Sequence, residues 1–69
     1  MKKEKNKTVA KRLVILRGKQ SRATVANALG VSKSAIAMYE QGKRIPRDDI
    51  KVKYAKYFKT TVESIFFAQ

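Results

Sequence analysis

Most of the charged side chains in this sequence, the ones best fitted to do chemistry here, are cations. Lys and Arg number 17 against five Asp and Glu, and the 69 residues contain neither His nor Cys. Without imidazole or thiol, the common nucleophilic and metal-binding constellations are missing. No acid–base pair stands out, so no enzyme, no metal site and no cofactor is expected. What the cations can do is hold anions. A net charge of +12 on so small a chain implies a polyanionic partner. Nucleic acid comes first and an anionic membrane surface second. The cations best placed for this work fall between Ser21 and Pro46, in the stretch SRATVANALGVSKSAIAMYEQGKRIP. Arg22 follows a capping serine, where helix N–H groups favour anions and a guanidinium adds a fork of donors. Lys43 and Arg44 follow Gly42 in a loop closed by Pro46.

These residues need rigid elements to position them, and the spacing supplies helices. Residues 1–7 hold four lysines and no apolar anchor beyond Met1, and read as a flexible basic N-terminal arm. Helix 1 is expected from Thr8, a candidate N-cap, to Arg17. At about 100° per residue, Val9, Leu13 and Leu16 form its inward stripe. Ala10 and Arg17 sit at the edge of that stripe, and Ile15 falls off it. Ser21 caps helix 2, Arg22 to Leu29, whose buried face is Val25, Ala26 and Leu29. Gly30 follows the last apolar residue, where a left-handed C-cap is wanted. Ser32 caps helix 3, about Lys33 to Gln41. Lys33, Ser34, Ala37, Met38 and Gln41 share an arc of about 140° on it. Ala35, Ile36, Tyr39 and Glu40 occupy the opposite, inward arc. Such an outward face, short or polar and without bulky β-branched residues, can enter a major groove.

Pro46 is expected near the first turn of helix 4, with Asp48 and Asp49 at the positive end of its dipole. Ile50, Tyr54, Tyr57 and Phe58 make its inward stripe, with Ala55 beside it. Lys51, Lys53 and Lys56 are expected largely in solvent, and Val52 lies off the stripe. Thr60 or Thr61 caps a last short helix, Val62 to about Phe67, and Thr60 and Glu63 have capping-box spacing. Of the adjacent Phe66 and Phe67, only one can face inward. No segment approaches signal-peptide or transmembrane character, and the missing cysteines fit a reducing compartment, so a cytoplasmic location is expected.

The matches Val25-Ala26, Leu29-Gly30-Val31-Ser32, Ser34-Ala35-Ile36, Tyr39-Glu40, Gly42, Arg44 and Pro46 carry a family resemblance. So do the downstream stretches Pro46 to Lys51, Tyr54 to Phe58 and Val62 to Phe66. The sequence resembles the Cro/CI-type (Xre-like) helix-turn-helix domains of phage repressors and bacterial regulators over about Val9 to Phe67. The resemblance implies an all-α, compact five-helix, lambda-repressor-like DNA-binding domain spanning residues 8–69, with helix 3 in the major groove. It places Lys33, Ser34 and Met38 at base edges, with Ala37 close by. Ser21, Arg22, Gln41, Lys43 and Arg44 are then the phosphate contacts. Relatives often have Gln where Arg22 stands, so phosphate affinity should be higher here. The resemblance also pairs Glu40 with Arg17, a partner that a buried carboxylate needs.

The implied function is a transcriptional regulator, expected as a repressor, that binds a double-stranded DNA operator as a homodimer. Ile15, Val52, Ile65, Phe66 and Phe67 are the candidates for the dimer contact. No membrane partner and no small-molecule ligand is expected. Two rivals remain: an antitoxin that also autoregulates by binding DNA, and, from another class, a cationic membrane-active helical protein. The Gly30, Gly42 and Pro46 stops argue against the second.

Overall fold

In the computed structural model, which describes residues 2–68, four α-helices are followed by one π-helical segment. They are α1 (Lys2–Arg17), α2 (Arg22–Leu29), α3 (Lys33–Glu40), α4 (Asp48–Tyr57) and the C-terminal π segment (Glu63–Phe67). No strand occurs among the described residues.

Capping chemistry sets most of the boundaries. The Ser21 Oγ accepts the Thr24 N–H, and the Ser32 Oγ accepts the Ala35 N–H, each at 3.0 Å. Each serine thereby satisfies one of the amides left unpaired at a helix start. Gly30 closes α2 at φ 71°, in the left-handed region that favours glycine, while the Val31 N–H bonds back to the Ala26 carbonyl at 3.0 Å. At the C-terminal end the capping residue is Thr61. Its Oγ1 accepts the Ser64 N–H at 3.0 Å, so the expected Thr60–Glu63 box is replaced by a Thr61–Ser64 pair. The Ala68 N–H reaches the Glu63 carbonyl, the i→i+5 bond of a π-helix.

The N-terminal boundary differs from expectation. Lys2 to Lys7, expected as a flexible arm, are the first turns of α1, and Thr8 lies inside the helix rather than at its cap. Lys and Glu are good helix formers, and no Gly, Pro or β-branched residue interrupts the segment. Met1, Gln69 and the side chains of residues 2–5 lie outside the described part. The backbone of this first stretch runs close to the turn after α3. A Cβ built on Gly42 (φ 75°) would sit 3.5 Å from the Asn6 carbonyl oxygen.

All the helices contribute to one core: Val9, Leu13, Val25, Ala26, Leu29, Ile36, Tyr39, Ile50, Tyr54, Ala55, Ile65 and Phe66. Leu16, Val31, Ala35, Phe58 and Val62 pack against it. Tyr54 lies among three other aromatic rings. Tyr39 and Phe66 meet it edge-on with centroids 6.3 and 6.1 Å away, and Phe58 stacks at 6.1 Å. Burying rings of this size supplies much of the stability of so small a domain.

Three expectations about facing are corrected. Tyr57 is exposed, not inward, because Phe58, one residue on, takes the place over Tyr54. The Tyr57 ring instead lies edge-on to Phe58 at 4.9 Å, and its hydroxyl donates to the Gln20 Oε1. Lys51 is not in solvent. Its Nζ sits 5.5 Å from the Phe66 ring centroid and 5.0 Å from that of Phe67, while its stem is largely covered. Ile65 and Phe66 are buried core residues and present no surface for a dimer contact. The last helix has few residues, and it must use both of them to close the core over Tyr54. Arg12, which the stripe of helix 1 left aside, ties the two ends of the fold together. Its Nη1 donates to the Ile65 carbonyl at 2.9 Å and its Nη2 to the Ala68 carbonyl at 2.7 Å.

Candidate nucleic-acid interface

Helix α3 divides into two faces. Ile36, Tyr39 and Glu40 are buried, while Lys33 and Ser34 are exposed and Ala37 and Met38 are half-buried. The division follows the helical period: the apolar arc is spent on α1 and α2, which leaves the short and polar arc outside. Lys33 also borders an open groove between α2 and α3 of about 470 Å³, with Ala23, Thr24, Ala26, Asn27 and Val31. Thr24 and Asn27 are exposed polar residues there that the sequence reading did not single out. Their spacing, i and i+3 on the face of α2 turned away from Val25 and Leu29, was the available signal.

The flanks of α3 carry the other candidates. Ser21 is exposed at the start of α2. Gln41, Lys43 and Arg44 are exposed after α3. The Lys43 and Arg44 amides both fold back onto the Met38 carbonyl, at 3.0 and 3.4 Å, so this loop is a tight turn. Gln41 also faces a second groove, of about 410 Å³, shared with Lys7, Lys11, Val14 and Ile15 of α1.

Glu40 is the one buried charged residue among the described residues, with a side chain only 2% exposed. It holds two arginines. Arg17 Nε donates to its Oε2 at 2.7 Å, and Arg22 Nε donates to its Oε1 at 3.0 Å. Arg17 also donates from Nη1 to the Gln20 carbonyl at 2.8 Å. The hydrogen bond to Glu40 raises the Arg17 pKa further above its ordinary value, against the opposing effect of burial. The Arg17–Glu40 pair is thus present, and Arg22 joins it. That second partner was not foreseen, although one signal was available. Glu40 is the only acid between Glu4 and Asp48, in a stretch rich in cations, so a carboxylate turned inward could be expected to draw more than one of them. The cluster ties α1, α2 and α3 together at one point.

A short all-helical domain with two capped helices joined by a left-handed glycine, the second presenting a cationic outer face, defines a helix-turn-helix protein. A family model described as helix-turn-helix matches residues 10–65, and the chain belongs to that family, of Cro/CI type. It is therefore a DNA-binding transcriptional regulator. No curated protein and no solved structure matched the chain. No helix among the described residues is long and apolar enough to cross a membrane. No cluster of His, Cys, Asp or Glu that could hold a metal occurs among them.

Proposed function

We propose that this protein is a repressor that binds a two-fold operator as a homodimer and blocks polymerase sterically. The observation that carries the reading is the division of α3. Its one acid is buried and paired, and its exposed arc is left cationic, short and free of bulky β-branched residues. In this reading Lys33 donates to guanine O6/N7, Ser34 donates or accepts, and Ala37 and Met38 make apolar contact with thymine methyl groups. Ser21, Arg22, Gln41, Lys43 and Arg44 hold the phosphates on either side. With few hydrogen-bonding groups on the reading face, DNA shape carries part of the specificity.

One subunit spans only a few base pairs, so two copies on half-sites about 34 Å apart are required. Of the residues expected to form the dimer contact, Ile15, Val52 and Phe67 are exposed, and Ile15 is 77% so. Footprinting on the DNA upstream of the protein's own gene, repeated over a range of salt, tests the reading. Three cations per subunit, each neutralising one phosphate, give a log–log salt slope of about −5 for a dimer. Salt-independent binding, or protection of a single half-site, would refute it.

A further inference from the structure

We infer that Glu40 is a positioning residue for the phosphate contact made by Arg22, an inference that rests on the DNA-binding mode proposed above. The carboxylate is divided between two guanidinium groups, with Oε2 on Arg17 and Oε1 on the Nε of Arg22. Arg22 thus uses one of its five N–H donors on Glu40. Its Nη1 and Nη2 have no partner among the described residues. The Arg22 side chain is 37% exposed while that of Glu40 is 2% exposed. The solvent-facing part of Arg22 is therefore the part turned away from the carboxylate.

The planar guanidinium can do two jobs at once. It can be anchored at Nε and still present its terminal nitrogens to an anion as a preorganised fork. Rotamer freedom that a free surface arginine would lose on binding DNA is already lost in the folded protein. The arrangement also settles a conflict of charge. A carboxylate near a phosphate would repel it, but Glu40 is buried and shared by two cations, so the cluster keeps a net positive charge. Lysine cannot replace Arg22 here. Its ammonium is a point charge, and carboxylate and phosphate would compete for the same position.

The test compares wild-type protein with R22K and R22A on the operator fragment, reading the slope of log affinity against log salt. Thermal melts confirm that each variant is folded. Both variants are expected to lose about 0.9 log units of slope for each subunit bound, one phosphate contact apiece. A purely structural role for the cluster would change the melting temperature and leave the slope alone. A wild-type slope in R22K would overturn the inference, because it would show that any cation suffices. A wild-type slope in R22A would also overturn it, because Arg22 would then hold no phosphate. If the wild-type protein showed no salt-dependent binding at all, the proposed function would fail first and this inference with it. Slow exchange of the Arg22 Nε proton in ¹⁵N spectra of the free protein is expected as an independent sign of the Glu40 anchor. Exchange at the rate of an exposed arginine would also count against the inference.

Discussion

Tyr54→Phe is expected to stabilise the protein. Tyr54 is 1% exposed, its ring is surrounded by Tyr39, Phe58 and Phe66, and its hydroxyl is buried with no hydrogen-bond partner among the described residues. An unsatisfied buried hydroxyl costs about 1–3 kcal/mol of desolvation. Removing it leaves a void no larger than one oxygen atom, which costs only a few tenths of a kcal/mol at about 24 cal/mol per Å³. The ring contacts stay. The net gain should be about 1 kcal/mol, which in a domain of this size raises Tm by roughly 4–8 °C.

The same hydroxyl predicts a pH dependence. Burial, and after it the nearby Glu40 carboxylate, raise the Tyr54 pKa above the ordinary tyrosine value of about 10. The unfolded chain therefore loses this proton first as pH rises. The contribution of the neutral phenol to folding is fully present below about pH 10 and is lost progressively above it. Wild type should lose stability above pH 10 faster than the Phe variant, so the Tm gap between them widens. Differential scanning calorimetry of both proteins between pH 7 and pH 11 would measure this. A normally paired hydroxyl would instead make the variant about 1 kcal/mol less stable. A Tm drop of several degrees in the Phe variant would refute the reasoning.

Four other outcomes are expected. Ser32→Ala removes the cap of α3 and should cost about 1 kcal/mol by urea denaturation, with a proportionate fall in DNA affinity. Arg12→Ala breaks two bonds to the C-terminal carbonyls, and amide exchange should rise in Glu63–Phe67 more than in α2 or α3. Lys33→Ala should cost about 1–3 kcal/mol of discrimination at a single operator position in competition binding, and an equal loss across all sequences would reassign Lys33 to phosphate. Phe67, at 52% exposure, and Val52 can be changed together to Ser. Gel filtration should then show a weakened dimer with an unchanged monomer fold, and an unaltered dimer would move the contact to Ile15.

The helix-turn-helix unit was legible in the residues themselves. Ser21, Gly30 and Ser32 act through local backbone geometry, and so they mark the limits of α2 and the start of α3 without any knowledge of distant contacts. The inward arc of α3 and the buried face of α2 were legible for the same reason, since a strong helical period needs no partner to be recognised. The start of α1 was not. Its charged residues show no apolar period, and helix formation there follows propensity and a place beside Gly42.

Other features depended on which helix lies against which, and spacing along one helix cannot report that. Phe66 closes the core while Phe67 and Lys51 cover its edge, and Tyr57 gives way to Phe58. The Tyr54 hydroxyl has no partner among the described residues because it is buried in an apolar core beside the rings of Tyr39, Phe58 and Phe66. Arg22 shows the boundary most sharply. From sequence it was a phosphate-holding cation at a helix start, with no ion-pair partner assigned. Only the packing of α1, α2 and α3 around a single buried carboxylate makes it the second arm of an ion-pair cluster, because a charge withdrawn from water recruits every partner within reach.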